Sequence, residues 1–251
     1  MFYPGLVSIS FRSLTPKEVI SVCRDAQLDR VEWGTDSHTK TPLDAETVYE
    51  MGSAAGVLPC SCGSYYKLGF SPRESFPTLL KIAKNLHTDL IRIWGGNHGS
   101  ADLTARDTAA LAKEAHELAT MADAEGLTLA LECHPNTLTD RYEAELAFLE
   151  SVDHPRLVTY WQPNQFESRS YNLEAAEALA PFTKMIHVYA WSATERFPLS
   201  SDREIWSEYL SVFQKAGGDY GTLLEFMPDD DPATLPREAA VLREIIQTVS
   251  K

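Results

Sequence analysis

Short β-rich runs and longer amphipathic segments alternate from one end of this 251-residue chain to the other, and that alternation constrains the fold more than any other feature. The β-type runs fall at residues 5–11, 30–33, 58–62, 90–94, 127–132, 157–161, 184–189 and 222–226. Helical segments separate them, at residues 44–55, 76–86, 104–124, 143–151, 173–179, 206–216 and 236–249, with a first one opened by Thr15-Pro16-Lys17-Glu18. There Thr15 suits the N-cap, Pro16 suits the first turn and Glu18 completes a capping box. Val19, Ile20, Val22 and Cys23 give that helix its apolar stripe. A strand, a helix and a second strand make a parallel pair with a right-handed crossover. Eight such units of about 30 residues, with no linker or break in composition, predict one closed (β/α)8 TIM barrel over residues 1–251. An open doubly wound sheet carries a glycine-rich phosphate loop after its first strand, and here that segment is Ser10-Phe11-Arg12-Ser13. A chain of this length buries roughly three-quarters of its unfolded surface and needs no disulfide or metal to fold.

The charge balance narrows the partners. Lys and Arg total 22 against 36 Asp and Glu, a formal charge of −14. No basic cluster of the kind that grips a phosphate backbone is present, so nucleic acid is excluded as a partner, and an anionic membrane surface is disfavoured. No apolar run approaches the roughly 20 residues of a membrane span. The N-terminal Met1-Phe2-Tyr3-Pro4-Gly5 lacks a basic segment followed by a long apolar core, so the expected location is the cytoplasm. Cys23, Cys60, Cys62 and Cys133 lack a C-x-x-C spacing and read as reduced, buried thiols, with Cys60 and Cys62 on one face of a strand. A small molecule is the remaining partner class, and a homo-oligomer is compatible with the sequence.

In a barrel of this kind the chemistry sits at the C-terminal ends of the strands. Four consecutive strands each place one ligand-type side chain there: Glu132, Gln162, His187 and Glu225. Two carboxylates, an imidazole and an amide oxygen suit one divalent ion of the Mn, Mg, Co or Zn type rather than a thiolate-seeking metal. His187 alone is more often a hydrogen-bonded core histidine; four such residues in register point to a metal site.

The run Leu129-Ala130-Leu131-Glu132-Cys133-His134-Pro135-Asn136-Thr137, the Ile186-His187-Val188 segment and the terminal Glu225 resemble the xylose isomerase-like TIM-barrel superfamily, specifically its sugar phosphate isomerase/epimerase members. Glu32-Trp33 with downstream His38 is similar to that family's second-strand end. The resemblance covers nearly the whole chain. It implies a metal-dependent sugar isomerase or epimerase in which Glu132 and Glu225 serve as acid and base. The chain departs from the family in one ligand. Gln162, in Gln162-Pro163-Asn164-Gln165, stands where the family usually has Asp, which removes a charge and lowers the expected metal affinity.

A metal that chelates a carbonyl and its neighbouring hydroxyl stabilises an enediolate, and a carboxylate then moves the proton. Candidate contacts to a sugar or sugar phosphate are His134, His98, Trp94, Trp161, Trp191, Tyr66 and Arg196, with His38 from the family resemblance. Each aromatic suits barrel packing as well as stacking, and Arg196 or Lys67 suits a solvated loop as well as an anion clamp. Two readings stay open beside the isomerase. One is a glycoside-hydrolase-type enzyme built on the two glutamates. The other is a catalytically impaired sugar- or metal-binding relic, to which Gln162 points.

Overall fold

Local capping chemistry starts the helices of the computed structural model, which describes residues 1–192 and 194–251. Thr15, Thr41 and Thr104 each accept a bond from the backbone N–H three residues on, and Glu18, Asp44 and Asp107 accept from the caps' own N–H groups. These reciprocal bonds satisfy donors that a helix start otherwise leaves open. Gly56 closes the second helix at φ +75°, a conformation that costs glycine nothing.

The elements run β1 (Phe2–Val7), α1 (Pro16–Asp25), β2 (Arg30–Gly34), α2 (Pro42–Ala55), β3 (Leu58–Lys67), α3 (Phe76–Asn85), β4 (Leu90–Trp94) and α4 (Ala105–Ala124). Then follow β5 (Thr128–Glu132), α5 (Tyr142–Val152), β6 (Leu157–Trp161), α6 (Arg169–Leu179), β7 (Thr183–Val188), a two-residue hairpin pair β8 (Ala190–Trp191) and β9 (Arg196–Phe197), α7 (Arg203–Ala216), β10 (Tyr220–Leu224) and α8 (Leu235–Val249). β1 to β7 and β10 close into one parallel barrel in the order β1-β10-β7-β6-β5-β4-β3-β2. Among the described residues, no helix is long and apolar enough to cross a membrane.

Side chains alternate along each strand, and the alternation sorts two apolar clusters. Leu90, Ala130, Val158, Met185 and Leu223 pack together inside the barrel. Ile91, Leu129, Leu131, Leu157, Ile186 and Leu224 belong to the larger core between strands and helices. Moving two residues toward the C-terminal end from the interior floor reaches Arg92, Glu132, Tyr160, His187 and Glu225. The polar site is therefore the next layer above an apolar plug.

Three elements differ from the sequence expectation. The first strand stops at Val7 and residues 8–11 form a 3-10 turn, because the Ser8 and Ser10 hydroxyls accept from the N–H groups of Gly34 (2.9 Å) and Phe226 (3.1 Å) instead of facing a ladder. The hairpin of β8 and β9 is an addition too short to leave a periodic signal. Cys60 and Cys62 do not share a face: the β2–β3 register shifts between Val31 and Glu32, so Cys60 packs on the interior cluster and Cys62 in the outer core.

Glu145 on α5 is wholly buried against the barrel. The Thr159 hydroxyl bonds both Glu145 Oε1 and the Leu131 carbonyl oxygen. A hydroxyl has one proton, so a protonated Glu145 donating to Thr159 frees Thr159 to donate to Leu131. Burial pushes the Glu145 carboxyl up to about 8 from its ordinary 4.5. A raised acid in the folded chain contributes most below the unfolded value and loses that contribution as pH climbs to the folded one. Glu145→Gln keeps the neutral shape and removes the loss. Denaturant unfolding across a pH series should find the variant more stable than the parent by about 3 kcal/mol at pH 7 and equal to it near pH 4.5. Parallel curves would refute this assignment.

Candidate metal centre and active-site mouth

The four strand-end residues meet. His187 Nδ1 lies 3.5 Å from Glu132 Oε1, 3.5 Å from Glu225 Oε2 and 3.0 Å from Gln162 Oε1. Ligand atoms of Glu132, His187 and Glu225 fall within 4.8 Å of one another. Neighbouring donors around one small dication stand about 3.0–3.4 Å apart, so this spacing fits a single ion. The Gln162 amide is oriented by chemistry: its Nε2 donates to the Cys133 carbonyl at 2.7 Å, which turns Oε1 toward His187. Glu225 follows the last residue of β10. The bulky Phe226 next to it sits at φ +56°, a left-handed conformation that ends the strand and turns the chain out of the mouth.

Arg92, Trp94, Glu32 and Ser61 surround this set. Arg92, 1% exposed, donates from Nη1 to Glu132 Oε2 at 2.7 Å and has Nε 3.3 Å from Glu32 Oε1. Trp94 Nε1 donates to the same Glu132 Oε2 at 2.6 Å. On the far side of the imidazole, His187 Nε2 is 3.7 Å from Glu32 Oε2, to which the Ser61 hydroxyl donates at 2.8 Å.

Three buried carboxylates thus face one guanidinium, an excess of two negative charges when the imidazole is neutral. Burial raises the Glu132 carboxyl, but Arg92 and the imidazole outweigh it and hold the group well below the usual range. Burial raises Glu225, and the attraction of His187 does not offset it. Burial lowers His187, yet Glu225, Glu132 and Glu32 together force a proton onto it. A dication held at the four convergent tips would supply the missing positive charge and would leave that imidazole neutral, as a ligand must be. The oxygen-rich donor set with one nitrogen fits the ions named above.

Above the centre opens a cavity of about 350 Å³ whose walls include Glu132, Glu225, Gln162, Arg92, Trp94 and His134. His134 stacks on Trp94 with centroids 4.0 Å apart, and its Nδ1 bonds the Pro135 carbonyl at 2.8 Å, leaving Nε2 for a ligand. Arg12, Tyr65, Phe166, Trp191 and Phe226 complete the mouth. Arg196 stands at the rim, ion-paired to Asp230 with its guanidinium 4.4 Å over the Phe226 ring.

Four expected contacts lie elsewhere and are corrected. Trp161 points outward, because Tyr160 and Gln162 on either side take the inward positions; it packs edge-on against Tyr209 and Phe213 of α7 at 5.1 and 5.2 Å. Tyr66 is buried against Phe76 and donates to Glu114 of α4 at 3.2 Å, while its neighbour Tyr65 faces the mouth. His38 is a tie within the frame, bonded to Ser8 Oγ and the Leu14 carbonyl, both at 3.0 Å. His98 lines a separate cleft with Gly95, Gly96 and Asp107. Arg92 was missed and Glu32 was named only through the family likeness of its strand, without a role; the signal that could have found both is a charge set inside an apolar strand.

Comparison with known proteins bears on the fold and the family. The chain is 28% identical over 198 residues to a 3-dehydroshikimate dehydratase of Bacillus anthracis, covering 73% of this chain and 70% of that protein. The crystal structure of a probable 3-DHS dehydratase involved in petrobactin synthesis in Bacillus anthracis superposes with a TM-score of 0.81 at 20% identity, over 97% of this chain and 99% of that one. D-Psicose 3-epimerase from Clostridium cellulolyticum H10, solved with D-tagatose, superposes with a TM-score of 0.77 at 14% identity, over 99% of both chains. The family model described as xylose isomerase-like TIM barrel matches residues 60–245, and the chain belongs to that family.

Proposed function

We propose that this protein is a metal-dependent enzyme that removes a proton from carbon next to a carbonyl in a small hydroxylated ketone. The observation that carries the reading is the convergence of Glu132, Gln162, His187 and Glu225 under an open mouth, with two negative charges in excess. Glu132, Gln162, His187 and Glu225 are the residues that would hold the metal. A divalent ion held there would supply Lewis-acid polarisation of a substrate carbonyl.

The two glutamates are not equivalent. Glu132 Oε2 accepts from both Arg92 and Trp94, which holds that carboxylate ionised and fixed in place. Glu225 is lined into the mouth without such donors among the described residues. Glu225 is therefore the group that takes the proton. The C–H bond breaks, its electron pair becomes the C=C bond of an enolate, and the proton rests on the Glu225 carboxyl. With a hydroxyl on the next carbon, collapse of the enolate restores the carbonyl and expels that hydroxyl, which leaves as water with the proton from Glu225. One mobile carboxyl suffices for this elimination, and the dehydratase relative supports it. His134 Nε2 and the Arg92 guanidinium are placed to bind substrate oxygens, and Trp94, Tyr65 and Trp191 to pack on its carbon face.

A second reading is the sugar isomerase or epimerase, in which the proton returns to carbon. The likeness to an epimerase structure favours it. A glycoside hydrolase is not supported, since it leaves His187 and the charge excess without a task.

Metal-free protein should take up one equivalent of Mn²⁺ or Zn²⁺, with Tm raised by about 5–10 °C at a hundredfold excess over Kd, and His187→Ala should lose that rise. Unchanged melting with every divalent ion would refute the metal site. Incubation in D₂O with 3-dehydroshikimate and a ketose panel, read by mass spectrometry, separates the chemistries: loss of water marks elimination, and a gain of one deuterium without loss marks epimerisation. Glu225→Gln should cut turnover by about 10³-fold. Tight ligand binding with neither mass change would leave only the binding relic.

A further inference from the structure

We propose that Glu32 is the positioning residue of the metal centre: it aims His187 Nδ1 at the ion and balances the buried charge of Arg92 without touching the ion itself. The inference rests on the metal reading above and assigns a duty to a residue outside the ligand set.

Three observations carry it. First, Glu32 is fully buried in the middle of β2 and lies on the side of the imidazole away from Glu132 and Glu225, with Oε2 3.7 Å from His187 Nε2. An imidazole that offers Nδ1 to a metal needs an acceptor for its Nε2–H, and that acceptor fixes the tautomer and the ring angle. Second, Glu32 Oε1, His187 Nε2 and Arg92 Nε are all buried without a hydrogen-bond partner among the described residues; Arg92 Nε faces Oε1 of this carboxylate and His187 Nε2 faces its Oε2. Unpaired buried groups are costly, so closing these gaps of 3.3 and 3.7 Å completes the centre. Third, the frame is shaped around this carboxylate. Ser61 donates to Oε2 at 2.8 Å, and a Cβ at Gly63 would come within 2.7 Å of Oε1, so β3 has no side chain there.

The charges require the same residue. Glu132 and Glu225 neutralise a dication, which leaves Arg92 as an uncompensated buried cation beside it. Glu32 cancels that charge. Its role matters more here because Gln162 brings an oxygen to the ion and no charge.

The test uses the full chain, freed of metal, with Mn²⁺ as the probe in calorimetric binding. The partner readout is the His187 Nε2–H resonance of ¹⁵N-labelled, Zn²⁺-loaded protein. Glu32→Gln should weaken Mn²⁺ binding by about 10- to 100-fold and move that resonance upfield from its carboxylate-bonded position. Gly63→Ala displaces the carboxylate without altering any charge and should weaken binding by about tenfold with the same upfield movement. It carries the test if the metal-free Glu32→Gln chain does not fold by circular dichroism. Binding within twofold of the parent, or weaker binding with the resonance unmoved, overturns the proposal. A parent chain that takes up no Mn²⁺ or Zn²⁺ overturns both this inference and the metal site, whereas parent binding with indifferent variants overturns this inference alone.

Discussion

One buried imidazole organises the upper half of the barrel. His187 is fully enclosed, and carboxylates from β2, from β5 and from just beyond β10 approach it from both of its nitrogens. Like charges packed this closely repel strongly in a medium of low dielectric. Arg92 spans two of them and offsets part of that repulsion. The apolar floor of Leu90, Ala130, Val158, Met185 and Leu223 keeps that charge from leaking to solvent through the barrel axis. The fold holds the strands in register, and the register holds the charges in place.

The same asymmetry gives the site direction. Glu132 is pinned by a guanidinium and an indole, and Glu225 sits at the end of a strand that Phe226 breaks with a left-handed turn. One carboxylate is held on its second oxygen by two donors, and the other has no such donor among the described residues. Trp94, His134 and Tyr65 line the entry with flat surfaces suited to the carbon face of a ring or a short polyol. Differential placement of this kind is what separates binding from turnover.

Much of this was legible in the chain. The eight-fold alternation carried the barrel, and ligand-type residues just past apolar runs carried the centre, because both follow from local periods. Trp161 was misplaced although the period of two was available: Tyr160 and Gln162 face in, so the residue between them faces out. Tyr65 and Tyr66 were harder to tell apart, since register shifts in β3 break the count. His38, Arg92 and Glu32 depend on partners that arrive from other strands, such as Ser8 for His38 and Glu132 for Arg92. No pattern within a window of ten residues encodes such a contact; only the closed ring does.

Anomalous diffraction from a crystal soaked in Mn²⁺ tests the central claim most directly. The account requires one strong peak at about 2.0–2.3 Å from Glu132 Oε1, His187 Nδ1 and Glu225 Oε2, with the Gln162 oxygen in reach. A fully soaked crystal with no peak there, and His187 closed onto the carboxylates by direct hydrogen bonds, would contradict it.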